Sequence, residues 1–254
     1  MERSNDSKDV MVFDEPHLTE FKKTILQTET GWAGSNPRKW VAHLSPGIIE
    51  LNSFPDKRLV RQDIFDIANC RKTDDLYLAI NIAAWGGMKR DHGHRLFDEW
   101  PVWGGIMAAM RDGRLTRQQA YKAFSKLRVS GALPGMGPAY YTKMIFFALE
   151  KRDAFIMDQW TARSANLLLG RKLVNTLRTG ASGRDPAPQW VSDKNTSEVY
   201  EEFCRFIYEL ADQCSLEGGE ASVEEALFST GRGRGRWRNY VISQDRRRQG
   251  LEPL

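Results

Sequence analysis

A turn that combines two glycines with two prolines constrains the fold of this chain most. It reads Leu-Pro-Gly-Met-Gly-Pro over residues 133–138. Glycine reaches positive φ and lets another group approach the backbone closely, while proline suits the first position of a helix, where no N–H is needed. The turn therefore predicts a helix start at Pro138 and an anion-binding site around Gly135, Met136 and Gly137.

A basic segment precedes this turn. Residues 116–127 (TRQQAYKAFSKL) predict the first helix of a pair, which the turn would join to the apolar helix after Pro138. A tight turn between two helices needs no ligand, and for a lone Gly-x-Gly that interpretation suffices. A DNA backbone is favoured as the ligand here because basic residues outnumber acidic ones. The basic residues are Arg111, Arg114, Arg117, Lys122, Lys126 and Arg128, and the acidic one is Asp112.

An isolated acid, Asp158, follows the apolar run 155–157 and precedes a further predicted helix. Aspartate caps helix N-termini well, so a structural role is one interpretation. The other is catalytic, and the two are compatible. Breaking a glycosidic bond builds positive charge on the sugar. A nearby carboxylate stabilises that charge or activates a water molecule.

A single lysine, Lys143, lies within the apolar helix after the turn. Its neighbours at helical spacing are Ala139, Tyr140, Phe146 and Phe147. Such surroundings should partly desolvate the amine, lower its pKa and favour a nucleophile. The alternative is a lysine whose stem packs while its amine reaches solvent, in a structural or phosphate-binding role.

The order of glycine turn, apolar helix, polar loop and isolated acid resembles the helix-hairpin-helix DNA glycosylases, of the 8-oxoguanine glycosylase type. The resemblance covers residues 115–170. It implies a bilobal all-α fold in which a hairpin at 116–150 grips a DNA phosphate. It also implies that Asp158 drives excision of a base flipped out of duplex DNA.

The position of the lysine departs from the common family pattern. The usual nucleophile stands two residues after the second hairpin glycine, where this chain has Ala139. The segment TKMIFFAL at 142–149 looks more like a divergent archaeal branch of 8-oxoguanine glycosylases, which places its lysine differently. That resemblance implies Lys143 as nucleophile and an AP-lyase activity. Without it, Asp158 and water would leave an abasic site in an intact strand.

A basic, glycine-rich segment at 85–95 follows a predicted helix. In the resembled superfamily the corresponding loop enters DNA and fills the gap left by the extruded base. Trp85 or Met88 would then be the wedge, and the phosphate-binding residues would be Lys89, Arg90 and Arg95. The alternative is a solvated turn with a buried tryptophan.

Two residues directly after Asp158 are candidates for the base pocket. Gln159 and Trp160 would lie beside the acid, and Trp160 could stack on a flipped base. A core position for this tryptophan is the alternative, since tryptophan is usually well buried.

Positive charge is concentrated near the C-terminus. Residues 231–248 hold seven arginines and one aspartate, whereas the whole chain carries a net charge of only +4. Arg232, Arg234 and Arg236 are predicted to bind the DNA backbone, with Trp237 and Tyr240 available for stacking. A flexible basic tail is the alternative.

Hydrophobic periodicity predicts an all-α chain. No segment alternates like a half-buried strand, and residues 172–196 resemble an extended loop. We expect a flexible tail at 1–16, a central lobe at 76–159 that contains the hairpin, and a second lobe that combines 17–75 with 160–254. The predicted helices lie at 18–27, 60–70, 76–85, 101–113, 197–214 and 223–230.

Few groups are suited to holding a cofactor. Cys70, Cys204 and Cys214 are too few for an iron–sulfur cluster and lack zinc-site spacing. His92 and His94 form a single His-x-His without further ligands. We therefore predict no cofactor and no metal.

The sequence has no apolar run long enough to span a bilayer and no signal-type N-terminus. We expect an intracellular, cytoplasmic monomer that associates with double-stranded DNA.

The predicted function is excision of a damaged or modified base, with 8-oxoguanine as the default by resemblance. One alternative is a hypermodified phage base, such as glucosylated hydroxymethylcytosine, removed in antiviral defence. Another is a non-catalytic helix-hairpin-helix DNA-binding module, although a pure binder has no use for a carboxylate that repels phosphate. A helical protein-interaction scaffold is the weakest rival and predicts no salt-sensitive DNA binding.

Overall fold

The predicted all-α class is confirmed. A computed structural model describes residues 10–25, 32–42, 44, 50–178, 189–215, 218–228 and 235–250. Over these residues the chain forms twelve α-helices, a short 3₁₀ turn at 51–53 and two short strands. The helices are α1 (Glu15–Ile25), α2 (Pro37–Val41), α3 (Arg61–Asn69), α4 (Asp75–Trp85), α5 (Arg90–Asp98), α6 (Trp100–Arg111), α7 (Arg117–Val129), α8 (Pro138–Ala148), α9 (Gln159–Leu168), α10 (Ser197–Cys214), α11 (Gly219–Phe228) and α12 (Arg236–Arg247).

Polar side chains set where several helices begin. Asp74 caps α4 by accepting from the N–H groups of Leu76 (2.8 Å) and Tyr77 (3.2 Å). Thr116 and Gln119 form a reciprocal capping box at the start of α7. Each cap satisfies N–H groups that have no partner within the helix, so the local sequence fixes these boundaries.

Two apolar helices, α4 and α8, form the centre of the molecule. Every residue from 78 to 85 in α4 and from 141 to 148 in α8 is buried. Helices that are apolar all round are stable only when other elements surround them. Helix α8 packs against α3, α4, α6 and α7, while α9 packs against α1, α11 and α12.

Stacked tyrosines join α7, α8 and α10. Tyr121 stacks on Tyr200 with ring centroids 4.8 Å apart and meets Tyr141 edge-on at 5.0 Å. The hydroxyl of Tyr200 donates to the carbonyl of Phe155 at 2.9 Å. This bond anchors the segment that leads from α8 to α9 against the core.

The expectation of an unbroken loop at 172–196 is wrong in part. Strands β1 (Thr176–Arg178) and β2 (Gln189–Val191) form an antiparallel ladder in which Leu177 lies opposite Trp190. Three residues are too few for alternating hydrophobicity to stand out in a sequence. The pairing of β1 with β2 is therefore visible only in the tertiary structure.

Two further expectations need correction. Of the tail expected at 1–16, residues 1–9 lie outside the described residues. Residues 11–16 are not a loose tail: the Met11 N–H donates to Glu209 Oε2 (2.7 Å), the Asp14 N–H donates to the Leu168 carbonyl (2.8 Å), and α1 begins at Glu15. The segment 85–95 is only partly a loop, since α5 begins at Arg90. The partners of the N-terminal segment lie far along the chain, where local patterns cannot reveal them. The division into two lobes stays a prediction.

Gly34 should be indispensable to the packing of α4. A Cβ at this position would lie 2.5 Å from both the Cα and the carbonyl oxygen of Trp85, which are backbone atoms that cannot turn aside. We expect Gly34→Ala to lower the free energy of unfolding by about 1–3 kcal/mol, measured by urea denaturation. Gly105→Ala is the control, because a Cβ there meets nothing within 4 Å inside α6. It should raise stability by about 0.5–1 kcal/mol. Equal stability of Gly34→Ala and the native chain would contradict the expectation.

Candidate active site

The glycine turn packs against α5. Gly135 adopts φ +76°, and a Cβ there would lie 2.7 Å from Cβ of His92. Glycine is thus required at position 135 both by the positive φ and by the close approach of His92. Met136 is fully buried, and its N–H donates to the Leu133 carbonyl at 3.4 Å. Its side chain anchors the turn and offers no surface to a ligand.

The start of α8 is also held by residues remote in sequence. Gly137 precedes Pro138 in an extended conformation, and a Cβ on it would lie 3.4 Å from Asp193 Oδ1. Arg128 donates to Asp193 Oδ2 at 3.0 Å and to the Leu133 carbonyl at 3.1 Å. These bonds connect α7, the turn and the segment after β2.

Several of the basic residues before the turn serve the fold. Arg111 pairs with Asp75 (2.5 Å), and Arg117 pairs with Glu201 (2.8 Å). Lys122 and Lys126 remain exposed on α7. The basic surface is therefore smaller than the sequence predicts, because acidic partners come from distant helices.

The expected desolvation of Lys143 is confirmed. Its side chain is only 6% exposed, and its Nζ donates to the Ala139 carbonyl at 2.8 Å. The aliphatic stem packs against the end of α4, since a Cβ on Gly86 would lie 2.9 Å from Lys143 Cδ. Burial lowers the pKa of Lys143, and the charges of Asp158 and Glu224 oppose that shift. An amine in this setting loses its proton more readily than one in water.

Asp158 caps α9, as one interpretation predicts. Its Oδ1 accepts from the N–H groups of Trp160 (2.7 Å) and Thr161 (3.2 Å), and the residue is 7% exposed. The negative charge acts on Lys143 and on Arg238, where it opposes the lowering of both pKa values by burial. Oδ1 therefore caps the start of α9, and the negative charge of the same carboxylate favours the protonated form of Lys143.

Thr142 links the two candidate catalytic groups and is absent from the sequence-based predictions. Its hydroxyl donates to the Pro138 carbonyl (2.7 Å) and accepts from the Met157 N–H (3.1 Å). It thereby ties the residue before Asp158 to the helix that carries Lys143. A polar residue within an otherwise apolar helix is the feature of the sequence that could have pointed to Thr142.

A second acid, Glu224, also escapes the sequence analysis. Its carboxylate is fully buried in α11 and pairs with Arg61 Nη1 at 2.5 Å. Burial raises the pKa of Glu224, and Arg61 opposes that shift. Its charge opposes the lowering of the Lys143 pKa, and the charge of Asp158 adds to the raised pKa of Glu224. The cluster therefore holds two carboxylates, one amine and one guanidinium, contributed by helices far apart in sequence.

The predicted pocket residues lie at the start of α9. Gln159 and Trp160 are both half-buried. The guanidinium carbons of Arg238 and Arg163 lie 4.3 and 4.6 Å from the Trp160 ring centroid. Cation–π contacts of this kind fix a ring in place. A base that stacks on Trp160 would have to compete with these arginines.

The prediction of Trp85 or Met88 as a DNA wedge is wrong for this conformation. Their exposed fractions are 3% and 2%. Trp85 packs edge-on against Phe147 at 5.0 Å, and the Met88 carbonyl accepts from Trp40 Nε1 at 2.7 Å. The end of α4 and the Met88 side chain that follows it belong to the core, so neither side chain can enter a groove.

The predicted phosphate-binding residues Lys89, Arg90 and Arg95 are exposed around the start of α5. Arg95 donates to the Asp91 carbonyl within that helix, at 3.4 Å. Their contact with DNA stays a prediction.

The C-terminal arginines are placed only in part. Arg232 and Arg234 lie outside the described residues, while Arg236 begins α12. Trp237 is buried and donates from Nε1 to Ser164 Oγ at 2.9 Å, and Tyr240 bonds to His17 at 2.8 Å. These two aromatic residues hold α12 against the fold, so stacking on DNA bases is not their role here.

No group of three or more His, Cys, Asp or Glu side chains suited to a metal occurs within the part of the chain that the structure describes. None of the helices in that part is long and apolar enough to cross a membrane.

Comparison with known proteins identifies the family. Residues 23–228 match the family described as "Putative 8-oxoguanine DNA glycosylase OGG-like protein". The chain belongs to this family, which indicates a DNA glycosylase with DNA as its partner. No curated protein and no solved structure matches the chain.

The hydroxyl of Thr142 should matter for both stability and catalysis. Thr142→Val leaves the buried Met157 N–H without an acceptor, so the free energy of unfolding should fall by about 1–3 kcal/mol. Base release in single turnover should slow as well, because Asp158 is no longer tied to α8. Thr142→Ser keeps the hydroxyl and is the control. Release by Thr142→Val at the native rate would show that the link does not position Asp158.

Proposed function

We propose that the chain excises a base from duplex DNA by joint action of Asp158 and Lys143. The observation that carries the proposal is a buried amine and a buried acid held near each other: Lys143 and Asp158 are 6% and 7% exposed, and Thr142, next to Lys143, accepts from the N–H of Met157, next to Asp158. Burial lowers the pKa of Lys143, and the charge of Asp158 opposes that shift. Membership of the OGG-like family supports the same reaction class.

The chemistry requires an amine without its proton. Lys143 attacks C1′ of the flipped nucleotide, the C1′–N bond breaks, and the base leaves after gaining a proton. Asp158 stabilises the positive charge on the sugar as that bond breaks. The Lys143 adduct then opens the sugar ring to a Schiff base, from which β-elimination breaks the bond to the 3′ oxygen.

The surrounding residues would hold the duplex. The backbone at Gly135–Gly137 grips one phosphate in the manner of a helix-hairpin-helix, and Lys89, Arg90 and Arg95 contact others. Gln159 and Trp160 border the base pocket between two lobes. The protein acts as a cytoplasmic monomer in this proposal, and its DNA affinity falls steeply with salt.

8-Oxoguanine is the proposed substrate, because the family description names it. A glucosylated hydroxymethylcytosine, removed in antiviral defence, is the competing substrate. Both bases are therefore tested in the same experiment.

The test uses end-labelled duplexes that contain either base, with products separated before and after alkali. Asp158→Asn keeps the oxygen that accepts from Trp160 and Thr161, so the helix cap should survive. We expect it to slow base release by about 10²–10⁴-fold. Lys143→Gln should abolish the adduct that borohydride traps between protein and DNA.

Four outcomes are distinct. Cleavage without alkali that depends on both residues establishes a glycosylase with lyase activity. Cleavage only after alkali, with Lys143→Gln active, assigns base removal to Asp158 and water. Release of neither base, despite tight binding, contradicts the proposed substrates, and a native-like Asp158→Asn contradicts the mechanism.

The pH dependence should report the lowered pKa of Lys143. Because the neutral amine is the nucleophile, the borohydride-trapping rate should rise with pH through the Lys143 pKa in the folded protein. The midpoint should lie below the ordinary lysine value. Glu224→Gln removes a negative charge that raises this pKa, so its midpoint should move to lower pH. A midpoint at the ordinary lysine value in both proteins would contradict the assignment.

A further inference from the structure

We propose that the β1–β2 ladder is a DNA-contacting wing whose apolar pair, Leu177 and Trp190, inserts beside the flipped nucleotide. This inference rests on the proposed function, since it assigns a further surface to the same duplex. It replaces the wedge that the sequence placed at Trp85 and Met88, both of which are buried.

The two residues of the pair are exposed at the centre of the ladder. Leu177 is 47% and Trp190 46% exposed, and the two residues face each other across the ladder. Gln189 and Val191, on either side of Trp190, are buried. Trp190 is the one aromatic residue among the large exposed hydrophobic residues of the described chain. A partly exposed tryptophan opposite a leucine forms a small apolar surface.

The ladder lies against both helices that carry the reactive groups. Strand β2 packs on α8, which carries Lys143, and both strands pack on α9, which begins beside Asp158. Two residues beyond β2, Asp193 approaches Gly137 and accepts from Arg128. The wing is therefore continuous with the glycine turn that would bind phosphate.

The base of the wing is braced. The Asn195 side chain accepts from the Asn175 N–H at 2.8 Å and donates to the Asn175 carbonyl at 2.9 Å. The Ser192 N–H donates to the same carbonyl at 2.9 Å. A rigid base lets the apolar pair press into DNA without the cost of ordering it on binding.

Duplex DNA with an unstacked position is the partner that fits this surface. Proteins that open or bend DNA place apolar side chains between base steps from the minor groove, and an indole stacks on any base. Arg178, exposed next to Leu177, supplies a cation for a flanking phosphate. The wing therefore carries an apolar pair and, at the next strand position, an exposed cation on the opposite face.

The experiment measures affinity for a duplex with an abasic-site analogue, as a function of salt, by fluorescence anisotropy. Trp190→Ala should weaken binding about tenfold, in keeping with loss of one stacking contact. The slope of log affinity against log salt should not change, because an apolar contact releases no counterions. Arg178→Gln should reduce that slope by about one.

A matched control tests whether any exposed leucine would give the same result. Leu177→Ala should weaken binding, whereas Leu51→Ala, which alters a residue 45% exposed in the 3₁₀ turn, should not. Trp190→Phe keeps an aromatic ring and should restore most of the affinity. A 2-aminopurine beside the abasic position should dim with the native protein, because the indole stacks on it, and should dim less with Trp190→Ala.

The result that overturns the wing is native affinity and native 2-aminopurine response in both Trp190→Ala and Leu177→Ala. A change in sedimentation with unchanged DNA affinity would also overturn it and would assign the pair to self-association. Failure of the proposed function is separable, because it appears as absent base release by the native chain whatever these binding data show.

Discussion

Burial of α8 on every side is the constraint on which the rest of this structure depends. The helix forms because its residues are apolar, yet it carries Lys143 into the same dry surroundings. Desolvation disfavours the charged ammonium, so the packing that stabilises the core also lowers the pKa of Lys143. The chemistry proposed for this amine depends on that lowered pKa.

The charges around Lys143 limit how far that effect goes. Asp158 and Glu224 favour its proton, while Arg61 and burial disfavour it. Arg61 also pairs with Glu224, so the charge of this second buried carboxylate is compensated. An unpaired charge in such a place would be costly, and the ion pair makes the cluster tolerable within a core.

Local chemistry accounts for the elements that were predicted correctly. The cap at Asp74, the box at Thr116, the start at Pro138 and the cap at Asp158 all depend on residues within a few positions of each other. The errors lie where partners are distant. The burial of Trp85 and Met88, the ion pairs of Arg111 and the docking of residues 11–16 all require elements from elsewhere in the chain.

By itself the sequence determined the helical class, the glycine turn, the desolvation of Lys143 and the helix cap at Asp158, because these follow from local periodicity and backbone preference. Tertiary structure alone decided that Glu224 and Arg61 join the amine, that Thr142 ties α8 to the acid, and that the apolar pair at 177 and 190 is exposed. Those relations depend on which surfaces meet when helices pack, and no pattern within a single helix encodes them.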